Sequence, residues 1–243
     1  MLASFAWGFL AASTLILGGA VALRWRIEER LLGMIMAFGS GVLISAVSFE
    51  LVQEAFETNH GDGRVALGLV AGSAVFFTGD ALIDRLGGED RKRADGRQVE
   101  GSPLAIVLGI VLDGIPESIV LGLTIVIGGS VSAAFLVAVA LSNVPEAIAA
   151  STGLARSGWP PRHILGLWVL VSVVSGLAAV LGFSVLDTAS PGVVAFVLAF
   201  AGGAILTMLA DTMMPEAFQH GGKLVGILTT FGFGLAFAIS SLQ

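Results

Sequence analysis

Long apolar runs separated by short polar stretches dominate the chain. An α-helix needs about 20 residues to cross a hydrocarbon layer roughly 30 Å thick. Eight runs of about this length can be marked, at 2–23, 31–56, 64–84, 103–128, 131–156, 162–184, 192–218 and 222–241. One longer hydrophilic stretch, at about 85–102, is expected to be a flexible cytoplasmic loop. The pattern predicts an all-α polytopic membrane protein, with eight transmembrane helices in a single domain over 1–243.

Composition agrees with this interpretation. Apolar residues make up 56% of the chain, charged residues 12%, and the mean hydropathy is +0.94, whereas soluble domains are about 25% charged. The chain has no cysteine, which excludes disulfides and thiolate metal sites. The three histidines fall at segment ends or in loops, so a site inside the membrane would have to be built from oxygen ligands. The first segment has no preceding positive charge, and we expect a retained helix there instead of a cleaved signal peptide.

The basic residues indicate an orientation. Along an eight-helix path, eleven of the twelve Lys and Arg residues fall on one side of the membrane and Arg64 alone on the other. Because positively charged loops stay in the cytoplasm, we expect both termini outside the cytoplasm and the 85–102 loop inside. The expected location is the cell (inner) membrane.

Two apolar runs carry a proline-glutamate pair near their centres, and the second copy follows the first by twenty-nine residues. On a helix, Asp113 and Glu117 lie one turn apart on one face, as do Ser142 and Glu146, with Asn143 beside them. A charged side chain at membrane depth costs about 2.5–3.5 kcal/mol on insertion scales, and its default interpretation is a functional site. These five residues are the candidate ligands of a metal cation.

The prolines of these pairs add possible ligands. Pro116 and Pro145 have no N–H to donate to the residue four places earlier, which frees the carbonyl oxygens of Leu112 and Leu141. Two such helices facing each other would surround a cation with carboxylates, an amide, a hydroxyl and free carbonyls.

Two distant segments resemble each other. Windows 37–56 and 199–218 share six identities without gaps, and both begin glycine-rich and end Glu-Ala-Phe. They lie five crossings apart and would run in opposite directions through the membrane. Inverted repeats of this kind are typical of transporters whose substrate site lies near the midplane. The expected order is three helices, a central pair, and three helices, a 3+2+3 inverted-repeat arrangement.

Further acids lie toward the ends of these repeated helices. Glu50 and Glu54 lie one turn apart in the first window, and Asp211 and Glu216 lie in the second. We expect these four to line the entrance or exit of a transport pathway. The four tryptophans, Trp7, Trp25, Trp159 and Trp168, mostly fall near predicted segment ends, which is consistent with anchoring at the membrane interface.

The central pair resembles that of the ZIP family of divalent-metal transporters, in a divergent prokaryotic-type form. That family has His-Asn-x-Pro-Glu on its fourth helix, where this chain has Asp-Gly-Ile-Pro-Glu at 113–117, and a similar motif on its fifth, here Ser-Asn-Val-Pro-Glu at 142–146. The resemblance implies eight helices, a 3+2+3 inverted repeat, outside termini and a metal site between helices four and five. It also implies that the substrate is a divalent metal.

The departures from the family pattern concern a second metal. Family members often hold one with the Asn of helix four and a Glu of helix six, where this chain has Gly114 and apparently Ala179. One site is therefore expected. The resemblance points to zinc or another transition metal, and carboxylates can bind zinc. Asp113 in place of His shifts some weight toward manganese or iron(II), because carboxylates suit harder cations than imidazole does. The choice among zinc, manganese, iron and cadmium stays open.

Other functions stay open at this point. A proton-linked carrier would use the paired acids without holding metal, and a transport-inactive metal-sensing protein would bind without flux. An intramembrane enzyme is disfavoured, since no HExxH motif is present. The expected partners are the lipid bilayer and the divalent cation, with no organic cofactor and no nucleic acid. The sequence leaves open whether the chain forms a homodimer.

Overall fold

The computed structural model describes residues 1–59, 63–88, 103–129 and 131–242. His60 and most of the predicted 85–102 loop lie outside these ranges. Within them the chain is helical throughout, and every α-helix of spanning length is rich in apolar residues.

We number the helices in chain order. The first three are α1 (Leu2–Arg24), α2 (Glu29–Asn59) and α3 (Arg64–Gly88), and the middle three are α4 (Pro103–Gly128), α5 (Ala133–Arg156) and α6 (Pro161–Leu186). Then α7 joins Pro191–Met208 through Leu209–Met213 to Met214–Gly221, and α8 is Val225–Ser240. The first residues of the predicted loop belong to α3. Its last segment, Asp84–Gly88, is a π-helical turn that contains Gly87 with a positive φ of 93°.

Seven helices of the described residues are long and apolar enough to cross a membrane, if the run Pro191–Ser240 is counted once. Their outward faces are apolar too: Val70 and Phe77 on α3 are 68% and 60% exposed, and Ile227 on α8 is 69% exposed. Large apolar surfaces of this kind mark contact with lipid or another partner. The chain is an integral membrane protein.

The first half of the run Pro191–Ser240 lies beside α2 in the opposite direction. Gly202, early in α7, packs against Val47 in the second half of α2. Gly221, at the end of α7, packs against Gly33 near the start of α2. The two helices are therefore antiparallel.

The second half of the run turns back. Gly222 leaves the helical region, with φ 63° and ψ −144°. Ser240, the last residue of α8, then donates a hydrogen bond to Glu50 far along α2. Straight, 50 helical residues would extend about 75 Å, whereas the reversal leaves α7 and α8 side by side against α2. Eight crossings stay a prediction that this reversal supports.

The helices pack in two groups. In one group α1 contacts α5 and α6, and α6 contacts α4; in the other α3 contacts α7, α7 contacts α2, and α2 contacts α8. The groups meet where α2 packs on α5 and α7 packs on α4. In the proposed repeat, α1, α2 and α3 correspond to α6, α7 and α8, and α4 corresponds to α5. The contact of α3 with α7 then corresponds to that of α8 with α2, and the contact of α1 with α5 to that of α6 with α4. The contact of α2 with α5 corresponds to that of α7 with α4. This correspondence is what an inverted repeat requires.

Close helix contacts repeat the same correspondence at single residues. A Cβ on Gly203 would collide with the carbonyl oxygen of Leu69 on α3, and a Cβ on Gly41, its partner in the repeat, would collide with that of Thr229 on α8. Small residues at such positions let membrane helices approach closely.

A π-helical turn also occurs at the same place in both copies. Val47–Gln53 in α2 and Leu209–Met213 in α7 begin at equivalent positions of the aligned windows. Single π-turns inside α-helices are rare and are frequent at functional sites. The matching turns and contacts support the inverted repeat, which stays a prediction.

Candidate metal site between α4 and α5

Prolines lie inside both central helices without ending them. Pro116 lies within α4 and Pro145 within α5. Each removes one N–H donor from its helix, so the backbone oxygens of Leu112 and Leu141 lose the partner that an ordinary helix supplies. The glutamates follow directly after the prolines and take their position from these two helices.

Four of the five predicted ligands line one small cavity. Its volume is about 20 Å³, and its wall contains Asp113, Gly114 and Glu117 of α4, Asn143, Glu146 and Ala150 of α5, and Leu15, Ile110, Trp168 and Val171. A cavity of this size holds one water molecule or one ion. The two proline-glutamate motifs thus meet at a single enclosed point.

The acids of this cavity are deeply buried. Asp113 and Glu117 are each 3% exposed, and Glu146 is 8% exposed. Burying a carboxylate is costly unless it is protonated, hydrogen-bonded or neutralised by a cation. The three carboxyl groups in the wall of this one small cavity therefore need protons, hydrogen-bond donors or a cation to offset their burial.

The ligand set is not closed in this conformation. Among the described residues, no three His, Asp or Glu side chains lie close enough together to enclose a metal ion. Asp113, Glu117 and Glu146 share the wall of the cavity, so a change of side-chain rotamers would be needed for all three to reach one cation.

Asn143 and Ser142 differ in their surroundings. The side-chain nitrogen of Asn143 donates a hydrogen bond to the backbone oxygen of Ala11 on α1, over 3.2 Å, so the ligand atom it can offer is Oδ1. Ser142 is fully buried outside the cavity wall, and its hydroxyl donates to the backbone oxygen of Val139 at 3.0 Å. The structure therefore brings Asn143 to the site and places Ser142 behind it.

Trp168 lines the cavity and is buried. For this tryptophan, the prediction of a side chain at the membrane interface was wrong. Trp168 is 1% exposed, and its indole nitrogen donates a hydrogen bond to the hydroxyl of Ser151 at 2.8 Å. Gly19 on α1 allows this, because a Cβ there would meet the indole ring at 2.5 Å. In the sequence, Trp168 lies near the predicted start of a helix, and no pattern indicates that Ser151 and Gly19 are its neighbours.

The family resemblance puts Ala179 where a glutamate would hold a second metal, but the structure does not place Ala179 in the cavity wall. Ala179 packs against Gly8 of α1 and Gly122 of α4, away from the cavity. The α6 side chain that faces Gly114 is Ser175, whose hydroxyl lies 3.7 Å from a Cβ built on that glycine. Neither position supplies a carboxylate.

Glu50, a predicted pathway residue, joins three helices. Its two carboxylate oxygens accept hydrogen bonds from the hydroxyls of Ser132 and Ser240, each at 2.6 Å. Ser132 also caps the N-terminus of α5, because its hydroxyl accepts from the backbone N–H of Phe135. Glu54, one turn along, is half-buried and accepts a long 3.5 Å contact from Thr58.

The other two pathway acids lie on α7 and differ in exposure. Asp211 is exposed in the π-helical turn, whereas Glu216 is 5% exposed. His220 lies between two carboxylates, with Nε2 at 3.2 Å from Glu216 and Nδ1 at 3.7 Å from Glu29. None of the four predicted pathway residues is in the wall of the central cavity.

No protein-family model matches this chain. A curated protein of Arabidopsis thaliana, named as a putative zinc transporter, is 29% identical over 199 residues, which are 80% of this chain and 31% of that protein. This likeness supports the resemblance to the ZIP family. The chain spans about a third of the length of this relative, and most of the relative is unmatched.

Proposed function

We propose that this protein is a secondary transporter that moves a divalent metal cation through the cavity between α4 and α5. Asp113, Glu117 and Glu146 are the proposed charged ligands, and Oδ1 of Asn143 is the proposed neutral one. The observation that supports this most directly is the ion-sized cavity that these four side chains line together. The name of the plant relative supports zinc transport in that protein.

The ligand set indicates which cations to compare. All four proposed ligands offer oxygen, which suits manganese and other hard cations, while zinc and iron accept carboxylates as well. We therefore propose zinc, manganese, iron(II) or cadmium as the substrate and no organic cofactor.

The proposed arrangement in the membrane has eight crossings in a 3+2+3 inverted repeat, with both termini outside the cytoplasm. The reversal at Gly222 and the equivalent contacts of Gly41 and Gly203 support the repeat. The distribution of Lys and Arg supports the orientation. Alternating exposure of the central site to the two sides would then move the ion.

Uptake into proteoliposomes tests the proposal. Zn²⁺, Mn²⁺, Fe²⁺ and Cd²⁺ would be compared for the unaltered protein, Glu117→Ala and the control Glu57→Ala, which changes an exposed acid away from the cavity. We expect flux of at least one cation that Glu117→Ala abolishes and Glu57→Ala preserves. Flux that survives Glu117→Ala and Glu146→Ala alike would show that the site is elsewhere.

A proton-linked carrier is the second candidate, and one observation favours it. The acids of the cavity do not enclose a metal in this conformation. Carboxyl groups that share the wall of one cavity can exchange protons without holding a metal. Calorimetric titration of the purified protein with Zn²⁺ and Mn²⁺ separates the two candidates, because the carrier would take up or release protons without binding metal. Metal binding without flux would instead indicate a transport-inactive metal sensor.

A further inference from the structure

A large basic cavity opens at the C-terminal end of α1, about two helical turns beyond Leu15, which lines the small cavity. Its volume is about 750 Å³, and its wall is formed by the α1–α2 connection together with the end of α5 and the start of α6. The lining residues are Ala22, Leu23, Arg24, Trp25, Arg26, Ile27, Thr152, Ala155, Arg156, Trp159 and Pro161.

The charge of this cavity is positive. Arg24, Arg26 and Arg156 line it, and no acidic side chain is among the described residues in its wall. Arg156 forms a salt bridge with Glu29, with 3.1 Å between its guanidinium and the carboxylate. Glu29 itself is not part of the cavity wall. Arg24 and Arg26 are exposed, and the Arg24 guanidinium lies 5.8 Å from the centre of the Trp25 ring.

The remaining wall suits the boundary between headgroups and acyl chains. Trp25 and Trp159 supply amphipathic rings, which are enriched at that depth of the membrane. Leu23, Ile27 and Pro161 supply apolar surface beside the arginines. A basic cavity between helices with an apolar border is a recognised form of binding site for anionic lipid headgroups.

We propose that this cavity binds the phosphate headgroup of an anionic glycerophospholipid, with Arg24 and Arg26 pairing to the phosphate and the acyl chains running along the apolar border. The site joins the α1–α2 connection to the end of α5, the helix that holds Asn143 and Glu146. The proposal is independent of metal transport, since it needs only the cavity and its charge.

Native mass spectrometry of the purified protein in detergent, titrated with phosphatidylglycerol or phosphatidylcholine, tests the assignment. We expect one tightly retained phosphatidylglycerol and no comparable phosphatidylcholine. The double variant Arg24→Gln/Arg26→Gln should weaken phosphatidylglycerol binding roughly 25-fold, since each arginine near anionic lipid contributes about fivefold. Arg24→Lys/Arg26→Lys keeps both charges and should retain binding.

The matched control is Arg85→Gln/Arg162→Gln, which removes two exposed arginines outside the cavity. Equal loss in the test and control variants would overturn the proposal, because binding would then depend on net charge alone. Equal retention of the two lipids by the unaltered protein would overturn it too. Displacement of the lipid by millimolar inorganic phosphate would show a phosphate site instead of a lipid site.

Discussion

The side-chain amide of Asn143 on α5 donates a hydrogen bond to the backbone oxygen of Ala11 on α1, across 132 residues of chain. Both groups are buried, and the bond holds the amide nitrogen away from the cavity that Asn143 lines. The orientation of a proposed ligand is thus fixed by a helix that contributes no charged residue to the site.

Replacing Asn143 by Asp removes that donor and places a carboxylate against a carbonyl oxygen. We expect the free energy of unfolding to fall by about 1–3 kcal/mol, the cost of leaving a buried polar group unsatisfied. Thermal unfolding in detergent measures this. Ser142→Ala is the control, because Ser142 bonds only within its own helix, and its effect should be less than about 1 kcal/mol. A larger loss from Ser142→Ala than from Asn143→Asp would contradict the arrangement.

Metal binding should weaken as the pH falls, because carboxylates must lose their protons to coordinate a metal. For each carboxyl group that is protonated in the metal-free protein, the affinity is expected to drop by at most about tenfold per pH unit. Calorimetric titration with Zn²⁺ between pH 5 and pH 8, a range of roughly three units, measures the slope. Glu117→Gln removes one group that can exchange a proton for the metal, so its slope should be smaller than that of the unaltered protein. An unchanged slope would mean that Glu117 does not release a proton to the metal.

The helices and the meeting of the two proline-glutamate motifs could be predicted because both depend on local patterns. Apolar runs fix helices in a membrane, and the spacing of Asp113 and Glu117 puts both on one helix face. The likeness of the two proline-glutamate motifs then suggested that they meet, and they line one cavity.

Contacts between distant helices had no such pattern. The hydrogen bonds of Glu50 reach Ser132 and Ser240, which are 82 and 190 residues away. A serine near a helix end resembles any other serine in the sequence. Trp168 was assigned to the interface from its position in α6, whereas its burial depends on the absence of a side chain at Gly19.

The bonds of Glu50 should contribute to stability as a unit. Glu50→Gln removes the second carboxylate acceptor, so one serine hydroxyl can no longer donate to this side chain and would have to accept from the amide NH2 instead. Hydrogen bonds to charged groups contribute about 1.5–3 kcal/mol, and a double-mutant cycle with Ser132→Ala should give a coupling energy of at least about 1 kcal/mol. Ser241→Ala is the control, because its hydroxyl bonds within its own helix end. Additive effects of Glu50→Gln and Ser132→Ala would show that the bond contributes nothing.

The inverted repeat predicts that equivalent glycines respond alike. Gly41→Val and Gly203→Val would each press a side chain into the backbone of a neighbouring helix, α8 in one case and α3 in the other. Overpacking of this kind costs about 1–3 kcal/mol, so both variants should lower the melting temperature in detergent by similar amounts. Gly166→Val is the control, because nothing lies within 4 Å of a Cβ at that position. If valine is tolerated at only one of these two positions, the two glycine contacts are not equivalent. Similar losses at both, with no loss at Gly166, would indicate that the two halves of the protein use the same helix packing in opposite directions.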